Sequence, residues 1–248
     1  MVLPPAAMGL PMSAHARPLT ARHNRLLAAL PDADYDRLAS QLDAVALAAT
    51  QVLAAPGAPI ADVYFLTEAV ASFIMPLSDG AAVEVATVGR EGMIGLPLFL
   101  GAATSPLSCV VQVPGGGFRL GADAFAAQVA ASRPLHDLLQ RAAQALMMQV
   151  AQAMACNQAH ALEQRCARWL LMTRDRAGSD TFVLTQEYLG RMLCVRRPRA
   201  SAVASALQRA GLIRYSRGRI TIVDGPGLEA ASCACYRLIV REQERLLG

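Results

Sequence analysis

Seven arginines, Arg196, Arg197, Arg199, Arg209, Arg214, Arg217 and Arg219, crowd into one short segment near the C-terminus. A guanidinium can donate two parallel hydrogen bonds to the O6 and N7 of guanine, or pair with a backbone phosphate. Spacing decides whether these side chains could do so together. Ala200, Val203, Ala204 and Leu207 recur at helical intervals and form an apolar face. Arg197, Pro198, Arg199, Ser201, Ala202, Ser205, Gln208 and Arg209 then remain on the opposite face. A solvated basic helix is the simpler account of such a face, and the neighbouring elements decide between the two.

Leu184-Thr185-Gln186-Glu187 reads as a helix start: Thr185 can cap free amides and Glu187 complements the positive helix end. Tyr188, Leu189, Met192 and Leu193 follow at helical spacing, and Cys194-Val195-Arg196 make a short turn. The second helix starts near Arg197-Pro198, where a first-turn proline loses no hydrogen bond, and Gly211 ends it. Leu212–Tyr215 and Arg219–Val223 are short β-runs around a tip at Ser216-Arg217-Gly218. Helix, turn, helix and wing in this order predict double-stranded DNA as a partner, which a bare basic helix does not.

The charge distribution agrees. From Arg25 to Ala130 there are 4 Arg against 10 Asp and Glu, a balance of −6; from Arg165 to Arg219 there are 12 Arg against 3 acids, a balance of +9. An acidic front and basic back suggest a sensing domain joined to one that binds a polyanion. The absence of Lys is explained equally well by a GC-rich genome. Residues 1–20 are proline-rich without a basic-then-apolar pattern, so a disordered tail is expected rather than a signal peptide. No apolar run approaches the ~18 residues of a membrane span, so no membrane partner is expected. The six cysteines are expected to be reduced, in a cytoplasm.

Arg22–Leu30 and Tyr35–Leu42 read as helices around Pro31-Asp32. Short β-runs follow at Val45–Leu47, Val63–Leu66, Ala71–Met75, Val83–Val88, Cys109–Val113 and Phe118–Leu120, separated by turn residues such as Ser78-Asp79-Gly80. This alternation suggests a sandwich or barrel with a small-molecule cavity. Helix returns at Ala122–Ala130, and a longer one runs from about Pro134 to Ala159. In it Leu135, Leu139, Ala142, Leu146, Gln149, Ala153 and Cys156 alternate four- and three-residue steps, the seam of a helix pair. A homodimer through Leu135, Leu139, Ala142, Leu146, Gln149 and Ala153 is expected, with packing onto the chain's own core as the competitor. Ala161–Arg176 is a further amphipathic helix, and a last helix spans about Leu228–Leu247.

Other chemistry is sparse. Cys233 and Cys235 are placed on the last helix, where residues two apart point to different sides, and no Cys-x-x-Cys occurs. With Cys156 and Cys166 nearby in the chain they read as small hydrophobes, and no metal is expected. His136 and His160 flank the long helix, and a solvated polar residue explains each more simply than a haem ligand does. Met147, Met148 and Met154 read as core fillers. Gly115-Gly116-Gly117 lacks the Lys-Ser/Thr of a phosphate loop, and no catalytic triad spacing or other enzyme signature is found.

With Asn24-Arg25-Leu26-Leu27, Gly89-Arg90-Glu91-Gly92-Met93-Ile94-Gly95 and Leu184–Ile213 as they stand, the chain resembles the Crp/Fnr family of bacterial transcription regulators. The resemblance implies an α+β protein with four parts: a tail (1–20), an N-terminal jelly-roll domain of the cyclic-nucleotide-binding type (21–132), a dimerisation helix (133–160) and a C-terminal winged helix-turn-helix (161–248). It implies DNA contacts from Thr185, Arg196, Arg197, Arg199, Ser201, Ala202, Ser205, Arg217 and Arg219. Arg197 stands where family members direct an arginine at guanine. An effector pocket would lie around Gly95, Leu96, Leu107 and Ser108, and RNA polymerase is left open as a further partner. Family members that bind cyclic nucleotides follow the glycine with a glutamate and later carry Arg-Ser or Arg-Thr; here Leu96 follows Gly95, and Ser105–Cys109 holds no arginine. A phosphate buried without its cation is costly, so the effector is expected to be something else, left unidentified, and no cofactor is expected. No cysteine precedes Cys109, which argues against the family's N-terminal iron–sulfur cluster. Cys194 replaces the usual turn glycine, which predicts a strained or reshaped turn. The alternative function is a sensing, protein-interaction module without operator recognition.

Overall fold

The computed structural model describes residues 20–78 and 82–248. The tail expected over residues 1–20 and the tip of the Ser78-Asp79-Gly80 turn lie almost wholly outside the described residues. A 3-10 turn, Ala21–His23, leads into helix α1 (Arg25–Ala28), followed by α2 (Asp32–Ala39). The sequence read the first two as one helix. Asn24 separates them: its side chain caps α1 at Leu27 and its Nδ2 donates to the Leu66 and Gly92 carbonyls, both at 2.8 Å.

Eight strands follow: β1 (Asp43–Leu47), β2 (Val52–Ala54), β3 (Asp62–Leu66), β4 (Val70–Pro76), β5 (Ala82–Val88), β6 (Met93–Ile94), β7 (Ser108–Val113) and β8 (Gly115–Gly121). The short β2 and β6 were not legible in the sequence, nor was helix α3 (Leu96–Phe99) between β6 and β7. Two four-stranded antiparallel sheets result, in the orders β1-β8-β3-β6 and β2-β7-β4-β5. Val63, Phe65, Ala71, Phe73, Cys109, Val111, Phe118 and Leu120 are buried along their strands. This is the jelly roll that the resemblance implied.

Helix α4 (Ala122–Ala131) precedes the long α5 (Arg133–Ala159), whose first turn is capped by the Ser132 hydroxyl. The structure reverses the expected faces of α5. Leu135, Leu139, Ala142 and Gln149 are buried within the chain itself, and Leu146 packs against both parts of the jelly-roll core. They are therefore not a free seam for a second copy, and Ala153 is half-buried beside them. Met147, Met148 and Met154, expected in the core, are 66%, 42% and 68% exposed. Gln140, Gln144, Met147, Ala151, Met154 and Gln158 form the outward stripe, also in four- and three-residue steps. Both stripes have helix-pair spacing, and the jelly roll covers the more aliphatic one.

After α5 come α6 (Leu162–Ala177), β9 (Thr181–Val183), α7 (Gln186–Leu193), α8 (Arg197–Arg209), β10 (Ile213–Ser216) and β11 (Arg219–Ile222). The last helix expected from the sequence is two, α9 (Gly225–Ala230) and α10 (Cys235–Leu247), so Cys233 lies in the break before Cys235 and the two do not share one helix. α10 runs back along α5 and buries Leu246 and Leu247 in the jelly-roll core.

The two halves of the chain meet at a buried ion pair. Arg176 Nε of α6 donates to Glu91 Oε1 at 2.6 Å, and its Nη2 donates to Gln149 Oε1 of α5 at 2.7 Å. Gln149 Nε2 donates in turn to the Thr87 carbonyl of β5 at 2.9 Å. A Cβ on Gly89 would come within 2.5 Å of the Arg176 Cβ, so glycine there admits the arginine. Removing one partner of such a pair leaves a buried charge and typically costs about 3–5 kcal/mol. Arg176→Met should therefore lower the denaturant-unfolding stability by about that much, and the Glu91→Gln/Arg176→Met double variant should recover part of it. A single variant within about 1 kcal/mol of the parent would show that the pair does not hold the halves together.

Candidate nucleic-acid interface

The helix-turn-helix forms as local chemistry demands. The Thr185 hydroxyl accepts from the Tyr188 amide at 3.1 Å and starts α7. Gly190 lets the turn close on the helix, since a Cβ there would meet the Val195 carbonyl at 2.9 Å. Cys194 has φ 54° and ψ 44°, so the turn keeps the left-handed backbone that glycine usually supplies, with cysteine bearing a cost of about 1–2 kcal/mol. The turn is strained, not reshaped. Ala200, Val203, Ala204 and Leu207 of α8 are all buried, as their spacing required. The Leu212 amide bonds the Leu207 carbonyl and the Gly211 amide that of Gln208, the paired closure of a glycine C-cap.

The wing is the hairpin β10–β11, its tip formed by Arg217 (φ 50°) and Gly218 (φ 73°), both left-handed as a two-residue hairpin turn prefers. β9, not foreseen, pairs with β11 and completes a three-stranded sheet. Gln208 does not face outward freely, because its Oε1 accepts from the Tyr215 amide of the wing at 2.7 Å. The Tyr215 hydroxyl donates to the Leu184 carbonyl at 2.9 Å and ties the wing to the start of α7.

Thr185, Arg196, Arg197, Arg199, Ala202, Ser205, Arg217 and Arg219 are exposed, and Ser201 is half-exposed. Thr185, Arg197, Tyr215 and Arg217 line one groove, so the helix starts and the wing present a common surface. Among the described residues, none of the ion pairs engages Arg196, Arg197, Arg199, Arg217 or Arg219. Two of these five cations, Arg197 and Arg199, sit on the first turn of a 13-residue helix without an acidic residue there, and Arg196 precedes them as its N-cap, adding to the positive end of the helix dipole.

The expected effector residues do not converge. Leu96 borders a cavity of about 30 Å³ between β5, α5 and the Leu247 end of α10, room for little more than one water. Gly95 caps α3 at φ 95° and Leu107 packs on the jelly-roll core. Ser108 instead lines a cleft of about 350 Å³ between the second sheet and α7, with Val52, Glu84, Tyr188 and Arg191. There Trp169 Nε1 donates to Glu84 Oε1 at 2.8 Å, and the Tyr188 hydroxyl donates to Ser72 Oγ at 3.1 Å. Glu84 Oε2 is sealed without a partner. Burial pushes the Glu84 carboxyl up to about 7, against the opposing hydrogen bonds from Ser72 and Trp169. Sequence reasoning missed this contact, because no local pattern marks a residue that meets a distant domain.

A jelly roll, a long helix and a winged helix-turn-helix with a bare arginine surface define the class of transcription-regulator folds. Residues 164–231 match the model of the Crp-like helix-turn-helix domain. The described residues have the Crp/Fnr fold. A Crp/Fnr-family transcriptional regulator from Eubacterium rectale aligns at 16% identity over 85% of this chain and 98% of its own, with a TM-score of 0.64. FixK2 from Bradyrhizobium japonicum aligns at 15% identity over 78% and 98%, with a TM-score of 0.66. A CRP-family regulator from Thermus thermophilus aligns at 20% identity over 82% and 98%, with a TM-score of 0.61. No curated protein sequence matches the chain. Among the described residues no helix is long and apolar enough to cross a membrane.

The sealed Glu84 carboxyl generates a pH dependence. Its folded value of about 7 lies above the ordinary 4.5, so between the two the folded chain holds a proton that the unfolded chain has lost. That contribution to stability is complete below the ordinary value and disappears as pH rises through about 7. Glu84→Gln, neutral at every pH, should melt above the parent on the alkaline side of this window and converge with it on the acid side. A difference in Tm between parent and variant that does not change with pH would refute the burial of this charge.

Proposed function

We propose that the protein is a cytoplasmic, homodimeric, sequence-specific DNA-binding transcription regulator, not an enzyme, with α8 as its recognition helix. The observation that carries this reading is the unpaired arginine surface at the start of α8, backed by a fully buried opposite face. An α-helix fits the major groove, and its first residues reach the base edges. Arg197 is the base reader, and Arg217 and Arg219 on the wing hold phosphates, which carry no sequence information. The Thr185 hydroxyl, having accepted from Tyr188, keeps its proton for a phosphate oxygen.

The second copy docks on the outward stripe of α5 centred on Met147 and Met154. Exposed methionines along a helix are supported by a partner that covers them, and the two recognition helices would then meet successive major grooves about 34 Å apart. The effector, if a small molecule, is not a cyclic nucleotide. The cavity bordered by Leu96 is too small, and a signal entering the cleft beside Glu84 would bear directly on α7.

Binding to selected genomic fragments and to scrambled DNA across a salt series tests the DNA reading. Arg197→Ala should cost about 1–3 kcal/mol on the selected sequence and relax base preference. Arg217→Ala should weaken both DNAs alike and lower the salt slope by about one unit. Equal weakening of both DNAs by Arg197→Ala would leave α8 without a reading role.

Light scattering tests the interface. Met147→Glu/Met154→Glu should give a folded monomer, whereas Leu139→Glu, inside the chain's own core, should unfold it. A dimer persisting in the methionine double variant would place the interface elsewhere.

A further inference from the structure

The break between α9 and α10 gathers side chains that the DNA-binding reading leaves unused. Cys156 lies in the last turn of α5, His160 follows at its C-terminal end, Cys233 sits in the break and Cys235 opens α10. One ligating atom from each lies within 4.8 Å of all the others. Cys156 Sγ and Cys233 Sγ are 3.4 Å apart, and Cys235 Sγ is 3.5 Å from His160 Nδ1. Zinc bonds sulfur at about 2.3 Å and imidazole nitrogen at about 2.0–2.1 Å, so the edges of its tetrahedron come to roughly 3.5–3.8 Å. The gathered atoms need only small adjustments to reach such a tetrahedron.

The surroundings favour an ion over ordinary packing. The three thiols are 0%, 4% and 2% exposed and form a buried cluster of their own, with no aliphatic or aromatic member. Three small thiols bury little apolar area, so hydrophobic packing alone gives this cluster weak cohesion. Gln152 Nε2 donates to Cys235 Sγ at 3.0 Å, an orienting hydrogen bond of the kind that metal ligands receive. Nearby Arg168 is 7% exposed, its Nη1 rests on Met172 Sδ and its Nε has no hydrogen-bond partner. Three thiolates and a neutral imidazole around a divalent ion carry one net negative charge, which this guanidinium can offset.

We propose that Cys156, His160, Cys233 and Cys235 bind a single zinc ion, tetrahedrally and with no open position. Three soft thiolates and an imidazole disfavour magnesium and calcium, and the four atoms stand too close together to enclose the irons and sulfides of a cluster. The ion joins α10 to the joint at His160-Ala161, from which α6 and the helix-turn-helix depart. Insofar as that joint aims α8 at DNA, the regulatory meaning of the site rests on the regulator reading. The metal site itself does not.

The test uses the full chain, reduced, stripped with a chelator and titrated with cobalt(II). One equivalent per chain should give the strong visible bands of a tetrahedral site and near-ultraviolet sulfur-to-metal charge transfer, both displaced by one equivalent of zinc. Cys233→Ser/Cys235→Ser should abolish these bands. Gln152→Leu should weaken cobalt binding about 10–100-fold, and His160→Ala, at a half-exposed helix end, should weaken it at least as much. Cys194→Ser, an exposed cysteine outside the cluster, should change nothing. Only the weak spectrum of octahedral cobalt, uptake well below one equivalent, or unchanged affinity in folded His160→Ala would overturn the proposal. So would a Cys156–Cys233 disulfide in the isolated protein with no cobalt uptake after reduction. None of these readouts involves DNA, so a failed zinc site and a failed regulator reading can be told apart.

Discussion

The placement of one buried cation, Arg176, constrains most of this molecule. Its guanidinium reaches Glu91 of the jelly roll and Gln149 of the long helix while its own helix leads into the DNA-binding domain. A charge taken out of water must have its hydrogen bonds in place, so the jelly roll, the long helix and α6 have to arrive in one arrangement. Gly89 clears the space for its stem, and the Glu91 carboxylate also accepts from the Gly89 amide. Asn24 fixes the same loop from the other side through the Gly92 carbonyl.

Within that frame α5 is used on several faces. Its aliphatic stripe completes the jelly-roll core, Gln149 holds the ion pair, α10 lies along another side, and Cys156 belongs to the thiol cluster. The stripe around Met147 and Met154 is left to solvent, together with Arg141 and Met148 beside it. A helix engaged in this way cannot shift independently of its neighbours. α10 contributes to the same rigidity, since its far end is buried in the jelly-roll core.

The DNA-binding element also shows how a sequence tolerates a local conflict. Cys194 adopts a backbone that costs it about 1–2 kcal/mol, yet the turn survives because both flanking helices bury their apolar faces. Tertiary burial outweighs the local preference of one residue.

The sequence by itself determined the parts whose causes act over a few residues. Thr185, the spacing of Ala200, Val203, Ala204 and Leu207, Gly211 and the Arg217-Gly218 tip made the winged helix-turn-helix readable. Six of the eight jelly-roll strands announced themselves through alternation and turn residues, while β2 and β6 were too short to do so. Which stripe of α5 lies inside was not decidable, because Leu135–Gln149 and Met147–Met154 share the same periodicity. Only the jelly roll, by covering the larger aliphatic side chains, selects between them. The break at Cys233 carries no proline or glycine, so nothing local divides α9 from α10. Cys156 and Cys233 stand 77 residues apart in the chain and meet only because α10 folds back along α5. Spacing along a chain reports on neighbours within one element, and the meeting of distant elements is decided by which surfaces the whole fold can bury.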